Sequence, residues 1–230
     1  ACTLRRPKNE GAAARNDGVR IASGRWIVML DDDSHPLDMR FVDALDEAPN
    51  DVAAIGGEIL LPDGGHEQGG LPEVIVGCGA AIRREAFVTA GGYDPAFHFY
   101  VEEYDLCARL LLGGRRVVHD QRLRVLHTKT QTNRDMGVVL GRLMRNNGWV
   151  LRRYAPEHAY EAALAETIER YAGIAAKEGA VPGYEAGLAE FRATIDEQRR
   201  VPMDDELWRR FTGEAAARRT FQEERALLAG

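Results

Sequence analysis

Cysteine is scarce in this sequence. Cys2, Cys78 and Cys107 are odd in number, far apart and outside any C-x-x-C pattern. That excludes a disulfide framework and a cysteine-rich structural zinc site, and it suits a reducing compartment. No apolar run approaches the ~18 residues needed to cross a bilayer. The opening "ACTLRRPKNEG" has no apolar segment of the kind a signal peptide carries. Basic residues are outnumbered, for a net charge of -6, which argues weakly against a general nucleic-acid binder with a cationic face. The chain is therefore read as cytoplasmic.

What is present is a globular composition, 45% hydrophobic and 29% charged over 230 residues. Its length allows one α/β domain with a helical appendage. "AAARNDGVRIASG" reads as a helix closing at Gly24, and "RWIVML" as a fully buried strand, continuous rather than alternating, in a covered sheet. "VAAIGGEILL" is a second strand, in which Gly56 and Gly57 mark a bulge or a close approach of backbones. Residues 63–70 read as a loop. The stretch from Glu73 gives a strand, a short helix, a turn at Gly91-Gly92 and a second helix ending at Gly113-Gly114, and "RRVVHDQRLRVLHTKT" adds one or two strands ending at His127. Beyond these the composition shifts to helix formers. Tyr160, Leu164, Ile168 and Tyr171 recur at helical spacing, as do Tyr184, Leu188, Phe191 and Ile195. The expected organisation is a catalytic α/β part over 1–132 and a helical extension over 133–230.

Three residue clusters carry chemistry. "WIVMLDDDSHP" places Asp31, Asp32 and Asp33 at the C-terminal end of a strand, the edge where open α/β sheets bind ligands. Alternate residues of extended backbone share a side, so Asp31 and Asp33 can converge on a hard divalent cation while Asp32 points elsewhere. Acidic clusters also serve as caps or solvated turns. Next, Glu102 and Glu103 open a helix directly after the rings of Tyr93, Phe97, Phe99 and Tyr100. Apolar surroundings raise a carboxyl pKa and suit it to general-base work on a hydroxyl. Acids are equally at home in a first helical turn, and Asp105 with Arg109 makes an ordinary i,i+4 pair. Last, His127 ends "RVLH", either as a structural histidine or as a third ligand beside the aspartates.

Read in order, "PKNEGAAARNDGVRIASGRWIVMLDDDSHP", "GCGAAIRREAFVTAGGYDPAFHFYVEEYDLCARLLLGG" and "VLH" resemble a family 2 glycosyltransferase of the GT-A fold, over about residues 4–130. The resemblance implies a GT-A-like mixed, mainly parallel sheet flanked by helices. It also implies transfer of a sugar, with inversion, from a nucleotide-diphosphate donor to an acceptor hydroxyl. Asp31 and Asp33 with His127 would hold Mg²⁺ or Mn²⁺, and Asp31, Asp33, Arg15 and Asn16 would face the donor. Glu103 or Glu102 would be the base, and Asp105, Tyr100 and Gly79 would face the acceptor. Arg109 also matches the family pattern, without a separable role.

The helical part resembles that of bacterial transferases building cell-surface polysaccharides. There Arg142, Arg145, Arg152 and Arg153 make segment 138–154 either a peripheral contact with an anionic membrane and a lipid-linked acceptor, or an ordinary packed helix. The family pattern places a strand–helix–strand ahead of the N-x-G point. About 60–80 residues of it, judged from the size of such units, would therefore lie outside this sequence, and the chain alone is expected to be poorly soluble or inactive. Two alternatives stand beside this reading: a phosphatase of the haloacid dehalogenase type, which also carries D-x-D after a strand, and an inactive binding remnant of a transferase.

Overall fold

The computed structural model describes residues 3–67, 73–128 and 135–213. A mixed sheet forms the centre, ordered β1 (Trp26–Met29), β5 (Ala80–Arg83), β3 (Val52–Leu60), β6 (Arg116–His127), β2 (Ser34–Pro36), with β4 (His66–Glu67) on the flank of β3. Among the described residues β3 and β6 are the parallel pair, and the other pairings are antiparallel. The parallel share is thus smaller than the run of apolar residues suggested. β1 is the outermost strand of the described order, paired with β5, and Trp26, Ile27 and Val28 are only half-buried. Continuous apolar character here belongs to an edge position capped by side chains: the Arg83 guanidinium lies 4.4 Å from the Trp26 ring centroid.

The two central glycines of β3 behave as their sequence context required. A Cβ on Gly57 would sit 2.4 Å from the Leu123 carbonyl oxygen, and one on Gly56 2.5 Å from the His119 ring. The β3–β6 register shifts between Gly56 and Glu58, so two strands meet more closely there than any side chain allows. Segment 63–70 is partly ordered pairing, because His66 and Glu67 form β4; residues 68–70 lie outside the described residues.

Helices α1 (Arg15–Ile21), α3 (Arg84–Thr89) and α4 (Glu102–Leu112) cover one face, and α2 (Phe41–Glu47) covers the other. Helices α5 (Met136–Tyr154), α6 (Glu157–Glu178), α7 (Val181–Thr194) and α8 (Asp205–Thr212) follow. They share the core of the sheet region. Trp149, Val150, Tyr154, Phe191, Trp208 and Phe211 belong to the same buried cluster as Phe87, Phe97, Leu106 and Ile82.

Candidate active site

The β2–β6 ladder assembles the acidic end of the site. Ser34 pairs with His127, which brings the turn of acids beside the end of β6. Thr128 ties it down, donating from both its amide and its hydroxyl to the Asp33 carbonyl at 2.8 Å. Asp32 is exposed, whereas Asp31 and Asp33 are half-buried; the Ser34 amide donates to the Asp31 carbonyl at 3.1 Å, so a turn, rather than the extended backbone expected, sets this pattern.

His127 is buried, with Nε2 3.2 Å from Asp33 Oδ1 and Nδ1 2.6 Å from Glu67 Oε2. A carboxylate accepting from Nδ1 fixes which ring nitrogen carries the proton and leaves Nε2 turned toward the aspartates. Atoms of Asp31, Cys78 and His127 lie within 4.8 Å of one another, a separation that one cation can bridge. Burial, then the charges of Glu67, Asp31 and Glu103, push the Cys78 thiol up to about 12. It stays S–H, so the donors on offer are carboxylate oxygens and one imidazole. That set suits Mg²⁺ or Mn²⁺ better than a thiophilic metal.

From Asp31 the site continues into a cleft of about 850 Å³ that takes in Arg15, Gly77, Tyr100, Glu102, Glu103 and His127. Arg15 donates to an Asp31 carboxylate oxygen. A Cβ on Gly77 would meet Arg15 Nη1 and Glu103 Oε1, both at 2.8 Å, so the guanidinium and the glutamate crowd the same patch of bare backbone. The Gly77 amide donates to Glu103 Oε1 at 3.1 Å.

Burial raises the Glu103 pKa, against the opposing pull of backbone N–H groups and of Arg15. Its neighbour Glu102 is 5% exposed, and its Oε2 has no partner among the described residues. Burial first, and then the charge of Glu103, push Glu102 up to about 9. Near neutrality Glu102 keeps its proton, while Glu103, also raised by burial, has the Gly77 amide and Arg15 beside it to favour its charged form.

The loop that delivers the pair is strained. His98, Tyr100 and Val101 have φ of 61°, 71° and 71°, a region a β-branched residue rarely enters. Such positions cost about 1–3 kcal/mol each and persist only where their surroundings over-determine them. Here the clamp is Asn146 of α5, fully buried. Its amide nitrogen donates to the carbonyls of Phe97, Phe99 and Tyr100 at 3.0, 3.1 and 2.7 Å.

Several expected site residues are elsewhere. Asp105 is fully buried away from the cleft, bonded to Arg109, Arg153 and the Tyr154 hydroxyl; a carboxylate so enclosed has no face left for an acceptor. Asn16 exchanges two hydrogen bonds with the Tyr93 backbone and holds α1 to the Gly91–Gly92 turn, where Arg109 donates to the Gly92 carbonyl. Gly79 lies inside the sheet, where a Cβ would strike Ile59. Asp33 reaches the site through His127 rather than by lining the cleft.

The basic segment turns inward. Arg145 donates to Glu190 and to the Ala96 and Phe97 carbonyls, Arg153 pairs with Asp94 and Asp105, and Arg152 sits over the Tyr160 ring. Among the described residues no helix is long and apolar enough to cross a membrane. Glu67, Cys78 and Asn146 were not singled out from sequence. Glu67 lies in a glycine-rich stretch of sequence with no periodic pattern around it, and Asn146 sits in an "RNN" triplet that matches no motif.

The family model for Glycosyl transferase family 2 matches residues 1–65. The O-antigen biosynthesis protein RfbC of Myxococcus xanthus is 26% identical over 157 residues, covering 53% of this chain and 12% of that protein. The chain thus spans about an eighth of the curated relative it matches. Among solved structures, GalNAc-T7 with UDP, GalNAc and Mn²⁺ aligns with a TM-score of 0.56 at 14% identity, covering 84% of this chain and 45% of that one. The mannosyltransferase PcManGT of Pyrobaculum calidifontis, in complex with GDP-Man and Mn²⁺, aligns at 0.47 and 17% identity, covering 83% and 56% of the two chains. The segment bearing Arg15, Asp31 and Asp33 carries the family 2 glycosyl transferase pattern, and the chain has the GT-A glycosyltransferase fold.

Proposed function

We propose that this chain is the catalytic part of a metal-dependent, inverting glycosyltransferase using a nucleoside-diphosphate sugar. Its product would be polysaccharide of the kind that the name of the Myxococcus relative denotes. One observation carries the reading: a single cleft has Asp31 and His127 at one end and Glu103 alongside, with Arg15 between the two. Asp31, Asp33 and His127 would hold Mg²⁺ or Mn²⁺. When bound, such an ion neutralises charge on a departing diphosphate. Arg15 adds a fixed positive charge next to the same phosphates. Glu103 takes the proton of the acceptor hydroxyl while that oxygen attacks the anomeric carbon. The bond from that carbon to the diphosphate oxygen breaks on the opposite face, and the configuration inverts. Glu102 remains protonated and takes no proton. The family 2 pattern of residues 1–65 supports this reading over the phosphatase alternative.

Paired variants test the assignment. Glu103→Gln should retain Mn²⁺-dependent binding of the nucleoside diphosphate by calorimetry and lose turnover by ~10²–10⁴-fold, as removal of a general base does. Glu102→Gln replaces a neutral acid with a neutral amide and should turn over near the wild-type rate. Asp33→Ala should lose the metal-dependent part of nucleotide binding. An inactive Glu102→Gln beside an active Glu103→Gln would reverse the roles. Absence of nucleotide binding in the wild-type chain would favour a remnant without transfer activity.

A further inference from the structure

Glu103 takes its one backbone hydrogen bond from outside α4, the Gly77 amide, from a segment with no regular structure of its own. Residues 73–79 belong to neither a helix nor a strand. Such a segment keeps its geometry only through the contacts that fix it. At the β5 end the Gly79 carbonyl accepts from the Gly57 amide at 2.8 Å. In the middle Val74 and Ile75 are buried in the core. At the other end the fixed point is Glu73, whose Oε1 accepts from Arg210 Nη2 at 2.7 Å and Nε at 3.2 Å. Arg210 lies on α8, 137 residues along the chain. That helix is itself seated: Trp208 and Phe211 enter the buried cluster that holds Val74 and Ile75, and Asp204 caps it by accepting from the Leu207 amide.

We propose that Glu73 and Arg210 are positioning residues: their ion pair pins segment 73–79 to α8 and so keeps the Gly77 amide on the Glu103 carboxylate. The proposal rests on the transferase reading for its consequence, since there Glu103 is the base. Exposed ion pairs usually contribute little. This one is different because the Glu73 side chain is only 19% exposed and its Oε2 is enclosed without a partner. Without Arg210 that charge would be left poorly solvated, and the segment would shift to bring it to water. Few groups can replace the Gly77 bond. Of the charges around Glu103, Arg15 on α1 favours its ionised form and Asp31 beyond β1 opposes it. Glu102 beside it keeps its proton up to about 9. Burial holds the Cys78 and Cys107 thiols up to about 12 and raises the Tyr93 phenol too, so all three are neutral.

The test follows the Gly77 amide of the full chain by ¹⁵N NMR as pH is raised, because an amide bonded to a carboxylate senses its ionisation. Arg210→Ala and Glu73→Ala truncate side chains at the edge of the core. Each should raise the midpoint of the Gly77 transition by about one pH unit, as loss of a hydrogen bond to the charged form does. Turnover on the acid side of that midpoint should fall about tenfold with it. Direct charge effects would have opposite signs, since removing a cation disfavours the carboxylate and removing an anion favours it. A rise in both variants therefore reports lost geometry. Midpoints that move in opposite directions would overturn the proposal, as would midpoints unchanged in both, or a wild-type Gly77 amide blind to Glu103. Raised midpoints in a chain that transfers no sugar would keep the positioning role and instead remove the transferase reading.

Discussion

Glu102 shows what burial does to a carboxyl with one oxygen left without a hydrogen-bond partner among the described residues. Its pKa in the folded chain stands near 9, against a usual carboxyl value near 4.5, because burial and then the Glu103 charge penalise ionisation. The folded protein therefore binds more protons than the unfolded chain between those values. Any stability this group lends is complete below pH ~4.5 and is lost as pH rises toward ~9, with a limiting slope of about 1.4 kcal/mol per pH unit. Glu102→Gln should gain stability relative to wild type across that window and stop gaining above it. Urea unfolding midpoints at acidic, neutral and alkaline pH measure the difference directly; a constant offset would mean that Glu102 ionises normally. Glu67 acts differently, through its contact with His127 Nδ1. Glu67→Gln should weaken Mn²⁺ binding by ~10–100-fold, read by calorimetry without any substrate, as loss of an orienting carboxylate behind a metal-bound histidine does. The different exposure of Asp32 from Asp31 and Asp33 was legible in the D-x-D pattern, although a turn closed by the Ser34 amide on the Asp31 carbonyl, not extended backbone, produces it. The Glu67–His127 contact was not, since it depends on where β4 closes back on β3.

At the level of elements, local pattern served well wherever it was periodic. The stop of the helix Glu102–Leu112, with Gly114 at φ 71° just past it, and the turn at Gly91-Gly92 follow from left-handed glycine geometry. Crossings between elements were hidden, because spacing within a helix does not say which helix it meets. Gly137 and Gly141 of α5 face Gly183 and Gly187 of α7, and a Cβ on Gly187 would stand 2.1 Å from the Gly141 carbonyl oxygen. By propensity alone, Ala for Gly in a helix stabilises by ~0.5–1 kcal/mol. Around Gly173 of α6 nothing lies within 4 Å, so Gly173→Ala should show that gain. Gly187→Ala must force the helices apart and should cost ~1–3 kcal/mol. Thermal unfolding of the two variants should therefore shift in opposite directions. The Asn146 clamp is a second such crossing. Asn146→Asp would set carboxylate oxygens against three carbonyls. It should raise amide exchange at residues 98–101 and lower turnover, while Mn²⁺-dependent nucleotide binding at the other end of the cleft holds.

Across the whole molecule the helical region completes the sheet-bearing half rather than trailing behind it. The change of composition near residue 133 is real, yet composition reports exposed faces and cannot show that two regions bury their apolar faces on each other. Trp149 packs edge-to-face on Phe97, 5.6 Å between centroids, directly beneath the loop of positive φ. Arg153 and Tyr154 close over Asp105, which would otherwise be a buried carboxylate with a single cation. Removing α5–α8 would thus uncover Phe97 and Leu106, leave Asp105 short of two partners and release the three carbonyls that Asn146 holds. Each deficit falls on the segment that presents Glu102 and Glu103. A chain ended after residue 134 should therefore lose cooperative unfolding and near-ultraviolet circular dichroism, and bind a hydrophobic dye, even though every residue of the acidic cluster remains. If that shortened chain instead unfolded as cooperatively as the full one, the helices would be an appendage. The strain in the Tyr100–Val101 backbone would then need another restraint, drawn from the sheet side alone.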